Sequence, residues 1–231
     1  MNDSILRIKD VHDKLFSYYG PQDWWPGDSD FEIMLGAILT QNTSWENVEK
    51  AINNLKPYLD PHTISLMDDV ILAELIRPSG FFNVKTKRIK NFLSWYEEKD
   101  FSIESLKSME THSLRQELLS INGIGRETAD SIILYVVEKP IFVIDAYTKR
   151  LFSRLGFDLP SDYDSIQSLF HNSLDFDTYI FNEYHALIVK HCKIYCKSKP
   201  KCTNCLLKDF CNFYTELILN INSDYEEENQ S

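Results

Sequence analysis

The chain has 231 residues, 43% hydrophobic and 13% aromatic, enough for one large domain or two modest ones around a real core. No apolar run approaches the ~20 residues that span a bilayer, and Met1-Asn2-Asp3-Ser4 lacks the basic and apolar regions of a signal peptide, so a cytosolic protein is expected. The formal charge of −11 argues at first against a nucleic-acid partner, yet Asp224, Glu226, Glu227 and Glu228 crowd a tail over 222–231 that is expected to be disordered.

With only 7 Gly and 8 Pro and little β-branched alternation, helices should dominate. Ile5, Ile8, Val11, Leu15 and Tyr18 space as one face of an opening helix that stops at Gly20-Pro21. After Trp24-Trp25-Pro26-Gly27-Asp28, residues 31–39 read as a buried helix. Thr43 or Ser44 can cap the next, with Val48, Ile52 and Leu55 facing inward. Further helices are predicted near 68–76, 84–98, 111–120, 125–138 and 145–155, and a last long one over 177–191. Two basic clusters stand out, Lys85-Lys87-Arg88-Lys90 and Lys190-Lys193-Lys197-Lys199-Lys201; each reads equally as a solvated helix face or as a surface for phosphates.

The most informative stretch is Ile121-Asn122-Gly123-Ile124-Gly125-Arg126-Glu127-Thr128-Ala129, followed by an apolar run and then Val143-Ile144-Asp145-Ala146-Tyr147. Two glycines one residue apart can take dihedrals that other residues resist and turn backbone N–H groups outward at a helix start, a geometry suited to an anion such as a phosphate. Asp145 stands where a helix should begin and reads on its own as an N-cap. Near the end, Cys196, Cys202, Cys205 and Cys211 follow a Cys-x5-Cys-x2-Cys-x5-Cys spacing in a loop too poor in apolar residues to fold on its own core. A chain without export signals disfavours disulfides, which leaves zinc on four thiolates or an iron–sulfur cluster.

Hairpin, carboxylate and cysteine loop, in that order, resemble the helix-hairpin-helix DNA glycosylases related to endonuclease III, over most of the chain. The resemblance implies an all-α, two-domain fold: a six-helix domain at 28–138 with the helix-hairpin-helix near 111–130, and a second helical domain from 1–27 plus 139–231, with a DNA cleft between them. It implies a [4Fe-4S] cluster on the loop 196–211 rather than zinc. The first spacing is one residue shorter than the family's common pattern, which makes Cys192 the alternative to Cys196 as first ligand; otherwise Cys192 is a buried thiol. The expected partner is double-stranded DNA carrying a damaged base, bound by a monomer.

The resemblance makes Asp145 the carboxylate that stabilises positive charge developing on the sugar as a base leaves, and it puts Gly123, Gly125 and Arg126 on the DNA backbone. Gln41 would fill the vacated space, and Phe81 or Phe82 would wedge the opposite strand. Bifunctional members carry a lysine two residues after the second hairpin glycine. Here that residue is Glu127, which cannot form a Schiff base, so a monofunctional, water-using glycosylase is expected, with Glu127 a candidate for contact with the water or the base. Trp24-Trp25-Pro26 together with Leu39-Thr40-Gln41-Asn42-Thr43 resembles the 3-methyladenine branch, where Trp24, Trp25, Pro26 and Trp45 would surround a cationic alkylated purine. Alternatives are an endonuclease III-like glycosylase/lyase for oxidised or mismatched pyrimidines and a non-catalytic DNA-binding module; the three Trp residues and the two Phe residues could also simply be core.

Overall fold

The computed structural model describes residues 7–24 and 27–219. In chain order the helices are α1 (Ile8–Tyr19), α2 (Asp30–Leu39), α3 (Trp45–Leu55), α4 (Pro61–Leu66), α5 (Asp69–Leu75), α6 (Phe82–Glu97), α7 (Ile103–Ser108), α8 (Thr111–Ser120), α9 (Arg126–Tyr135), α10 (Ala146–Leu155), α11 (Tyr163–Ser173) and α12 (Thr178–Ile194). Residues 212–219 are also helical, and among the described residues there is no strand. No helix among them is long and apolar enough to cross a membrane. The chain divides into two compact units, Trp25–Ile141 and Met1–Trp24 with Phe142–Ser231.

In the unit 25–141, α2 is the central helix. Ser29 caps it by accepting the Glu32 N–H at 3.2 Å, and Phe31, Ile33, Met34, Leu35, Ile38 and Leu39 are all buried. An apolar surface that extends around most of a helix needs neighbours on several sides, and α3, α6 and α9 supply them. Burying a side chain of this size is worth about 1.5–3 kcal/mol, so α2 anchors the unit. α8 and α9 flank the hairpin and are tied behind it: the Arg115 guanidinium grips the fully buried Asp130 carboxylate through two bonds, 2.7 and 3.2 Å.

The basic cluster on α6 is largely turned inward. Lys85, 1% exposed, donates to the carbonyls of Leu39 and Ser79, both at 2.7 Å, closing the end of α2 and the turn before α6. Lys90 donates to the carbonyls of Ile64, Ser65 and Met67 at the end of α4. Only Lys87 of the four is an exposed cation. Helix carbonyls left without partners attract cations, which is why these lysines are drawn in.

In the other unit, α12 packs against α1 and α10, and α1 also meets α11. Asp177 caps α12 by accepting the Ile180 N–H at 3.0 Å. Tyr184, fully buried on α12, donates its hydroxyl to the Ile8 carbonyl at 2.7 Å. Phe142 stacks on Phe170 with ring centroids 4.4 Å apart and meets Phe181 and Tyr184 edge-on, so an aromatic core lies directly before the segment that delivers Asp145.

Candidate active site and cysteine loop

The hairpin opens with a tight turn in which the Ile124 N–H donates to the Ile121 carbonyl at 3.0 Å. Gly123 takes φ +100° there, in the left-handed region. Gly125 is different: its φ of −95° suits any residue, and a Cβ built on it meets nothing within 4 Å. It is the N-cap of α9, and a glycine offers the first-turn N–H groups no side-chain acceptor. Arg126 and Glu127 follow in that first turn, both exposed.

Gln41, in the turn between α2 and α3, is joined to the hairpin. Its amide nitrogen donates to the Gly123 carbonyl at 3.1 Å and to Thr128 Oγ1 at 2.9 Å, and its amide oxygen accepts from Arg88. Phe81 is 67% exposed and sits at the cap of α6 with φ +49°, a left-handed conformation costly for an aromatic residue. Phe82 is half-buried, with the Arg77 guanidinium 5.2 Å from its ring centre. Trp45 is half-buried at the start of α3, and its indole lies over Gly36 of α2, 3.5 Å from where a Cβ would stand.

In the other unit, Trp24 is half-buried. Trp25 and Pro26 lie outside the described residues. The approach to Trp24 is pinned by a residue that sequence reasoning missed: Glu183 of α12, 2% exposed, accepts the backbone N–H groups of Gln22 at 2.5 Å and Asp23 at 2.7 Å.

Asp145 caps α10, as an N-cap reading implies, and it is buried. Its Oδ1 accepts the Thr148 N–H at 2.7 Å and the Thr148 hydroxyl at 2.8 Å, while Oδ2 lies 3.5 Å from His185 Nε2 on α12. Burial alone would push its pKa up. The neighbouring His185 ring, 3.5 Å away, followed by the Thr148 bonds, outweighs that and holds the carboxyl below its ordinary value, so the group is an ionised carboxylate in a dry setting.

The helix that begins at Asp145 is tied to the cysteine loop by its arginines. Arg150 donates to the Cys196 carbonyl at 2.8 Å; Arg154 donates to the carbonyls of Lys197 and Ser198 and to Cys196 Sγ at 3.4 Å. Cys196, Cys202, Cys205 and Cys211 all line one small pocket, together with Arg154, His191 and Leu207. Cys192 does not line it; its thiol is fully buried and points to the Tyr147 carbonyl at 3.7 Å. The neighbouring Cys192, then the guanidinium of Arg154, lower the Cys196 thiol pKa against the push of burial. His191 bridges Tyr19 Oη at 3.0 Å and Cys205 Sγ at 3.4 Å. Among the described residues no three His, Cys, Asp or Glu side chains converge on a point that would hold a single metal ion. Arg150 and Arg154 were missed in the sequence; their i, i+4 spacing on the helix behind Asp145 was the available signal.

A sequence profile of the HhH-GPD superfamily base excision DNA repair proteins matches residues 35–174. A Methanocaldococcus jannaschii protein provisionally named a DNA repair glycosylase is 50% identical over 209 residues, 88% of this chain and 95% of its own. The endonuclease III of Sulfolobus acidocaldarius is 31% identical over 195 residues, covering 82% of this chain and 85% of that one. Among solved structures, the H. pylori 3-methyladenine DNA glycosylase bound to 1,N6-ethenoadenine superposes with a TM-score of 0.71 at 31% identity, over 82% of this chain and 98% of that one. A non-covalent endonuclease III–DNA complex gives a TM-score of 0.78 at 19% identity over 91% and 96%, a likeness of fold. With this match over more than half its length and the helices and hairpin to go with it, the chain belongs to the HhH-GPD superfamily of base excision DNA repair proteins, as one of its DNA glycosylases.

Proposed function

We propose that the chain is a monofunctional DNA glycosylase that hydrolyses the bond between deoxyribose and an alkylated purine such as 3-methyladenine. The observation that carries the mechanism is the buried, ionised Asp145, its Oδ1 fixed by Thr148. In the reaction the C1′–N bond breaks and its electron pair leaves with the base, neutralising the base's positive charge. Asp145 stabilises the positive sugar, and a water oxygen bonds to C1′ as its proton passes to the carboxylate. Glu127, at the lysine position of the bifunctional relatives, supplies no amine, so water is the nucleophile.

Several features support this reading. The 31% identity to the H. pylori 3-methyladenine enzyme extends over nearly all of that chain. The resemblance assigns the aromatic Trp24, Trp25 and Trp45, together with Pro26, to the cationic base. Gly125 has neither a backbone nor a packing reason to be glycine within the protein; close approach of a DNA phosphate to the start of α9 gives it one, with Arg126 beside it. Phe81 has the exposure and the held conformation of a strand wedge, and Gln41 fills the gap left by the base.

Cys196, Cys202, Cys205 and Cys211 would hold a [4Fe-4S] cluster, with Cys192 outside the ligand set. Four thiols around a cavity, rather than converging on a point, suit a polynuclear cluster better than one zinc ion, and Arg154 beside Cys196 offsets the thiolate charge. Held by these four cysteines, a cluster would crosslink a loop that is poor in apolar residues. The loop's exposed lysines, Lys197, Lys199 and Lys201, then offer a basic face to DNA.

The test is release of free bases from methylated duplex DNA, with Asp145→Asn alongside. Release of 3-methyladenine by the wild type, lost by about 10²–10³-fold or more in the variant, is the expected result. No release of any methylated purine overturns the substrate assignment. Activity on oxidised pyrimidines would then favour the endonuclease III-like reading, which the 31% identity to the Sulfolobus enzyme keeps in play.

A further inference from the structure

We propose that His185 is the residue that keeps Asp145 an oriented carboxylate, a positioning residue for base removal; the inference rests on the reading of Asp145 given above. Both Thr148 bonds reach Oδ1 and come from the helix that Asp145 itself begins. They set the plane of the carboxylate but bring no charge to it. His185 comes from a different helix, α12, and approaches the other oxygen, Oδ2, at 3.5 Å.

Burial makes such a partner necessary. Both side chains are nearly closed to solvent, 8% and 11% exposed for His185 and Asp145. A carboxyl group in such a place drifts towards its neutral acid, and a neutral acid cannot stabilise a positive sugar. At 3.5 Å the approach of Nε2 is too long and poorly aligned for a formed hydrogen bond to Oδ2, but a ring N–H turned towards that oxygen favours the carboxylate, and an imidazolium does so more strongly. The imidazole is held in place by the segment that it serves: its ring meets Phe142 edge-on, centroids 6.5 Å apart at 89°, three residues before Asp145. The other titratable groups that feel the Asp145 charge are the Tyr147 phenol on α10, raised first by burial, and the Cys192 thiol on α12, raised first by the neighbouring Cys196 and by burial; in both the Asp145 charge adds to the same direction. His185 is thus the partner here that favours the charged carboxylate from outside its own helix.

The experiment uses the full-length holoprotein with His185→Leu and His185→Gln, measuring single-turnover base release from methylated duplex DNA between about pH 5 and pH 8.5. His185→Leu should lose about tenfold or more of its rate at the acidic end and approach the wild type at the alkaline end, with Gln between them because it restores a donor without charge. Affinity for an uncleavable duplex should not change. Independently, in the DNA-free protein with ¹³C-labelled aspartate carboxyls, the resonance that Asp145→Asn removes should titrate at a higher pH in the His185 variants. A loss of rate that is equal at every pH, or an Asp145 resonance that does not move, overturns the proposal. If the wild type releases no methylated base, the substrate reading has failed and the carboxyl titration alone decides on His185. If the Leu variant does not fold, the Gln variant carries both measurements.

Discussion

The aliphatic stem of Arg88 occupies the space over Gly123: a Cβ on residue 123 would stand 2.2 Å from Arg88 Cγ. With φ at +100° besides, this glycine is required by the protein itself. Gly123→Ala should therefore destabilise the fold by about 1–3 kcal/mol, seen as a lower urea midpoint with an unchanged slope.

Gly125, two residues on, should behave in the opposite way. Its φ of −95° and the open space around it predict that Gly125→Ala lowers stability by only about 1 kcal/mol or less, the cost of alanine at an N-cap, read as a small shift of the urea midpoint. Affinity for duplex DNA, measured by fluorescence anisotropy, should nevertheless fall, because the methyl group stands where a phosphate would approach the start of α9. Unchanged DNA affinity would remove the phosphate contact from this glycine.

Lys85 gives a pH dependence with a definite sign. Burial, then the charge of Arg88, lowers its pKa from 10.5 to about 8. Below about pH 8 the amine is protonated both folded and unfolded, and the cost of burying the charge is carried in full. Between about 8 and 10.5 the folded chain releases the proton first, so this residue's contribution to stability rises with pH. Lys85→Met should be less stable by about 1–3 kcal/mol at neutral pH, since the carbonyls of Leu39 and Ser79 lose their donor. The gap between wild type and variant, followed by urea unfolding, should widen above pH 8; a gap that narrows contradicts the assignment.

Much of this architecture was legible in the sequence, because long amphipathic helices with side-chain caps announce themselves. Ser44 takes the N-cap position of α3, though its hydroxyl makes no cap bond, and the helices expected near 111–120 and 145–155 appear as Thr111–Ser120 and Ala146–Leu155, capped by the side chains of Glu110 and Asp145. The short helices α4 and α7, six residues each, are too brief to show a period. α11 escaped notice for another reason: its inward face places the polar Gln167 beside Ile166 and Phe170, and that buried amide donates to the Phe142 carbonyl at 2.6 Å. The α6 lysines look like a surface patch in the sequence, and nothing local reveals that Lys85 and Lys90 reach distant carbonyls. Asp145 could be read as a cap and a candidate acid together. His185, 40 residues away and set among the buried apolar residues of α12, carried no signal of its own.

The cysteine assignments separate by metal analysis. With Cys196 lining the cavity and Cys192 turned to the Tyr147 carbonyl, Cys192→Ala should retain the wild-type content of about four iron and four sulfide per chain, and Cys196→Ala should lose it. One zinc per chain in place of iron would overturn the cluster assignment. Because Arg150 and Arg154 bind the loop from α10, removal of the metal should also speed amide exchange along that helix.

Glu127 provides the sharpest test of the missing lyase step. A lyase amine must attack the sugar aldehyde at C1′ and expel water to form an imine, which borohydride then reduces to a stable protein–DNA bond. The wild type, with a carboxylate at this position, should give no such bond on DNA containing an abasic site. Glu127 is exposed in the first turn of α9, so a lysine fits without repacking, and exchanging an acid for a base at a helix start costs only about 0.3–1 kcal/mol. Glu127→Lys should therefore fold and should yield a borohydride-trapped product, visible as a slower band on a denaturing gel. Trapping by the wild type would mean that another amine reaches the sugar and would end the monofunctional reading. Trapping by neither protein would leave that reading standing but show that the lysine position alone does not create a lyase.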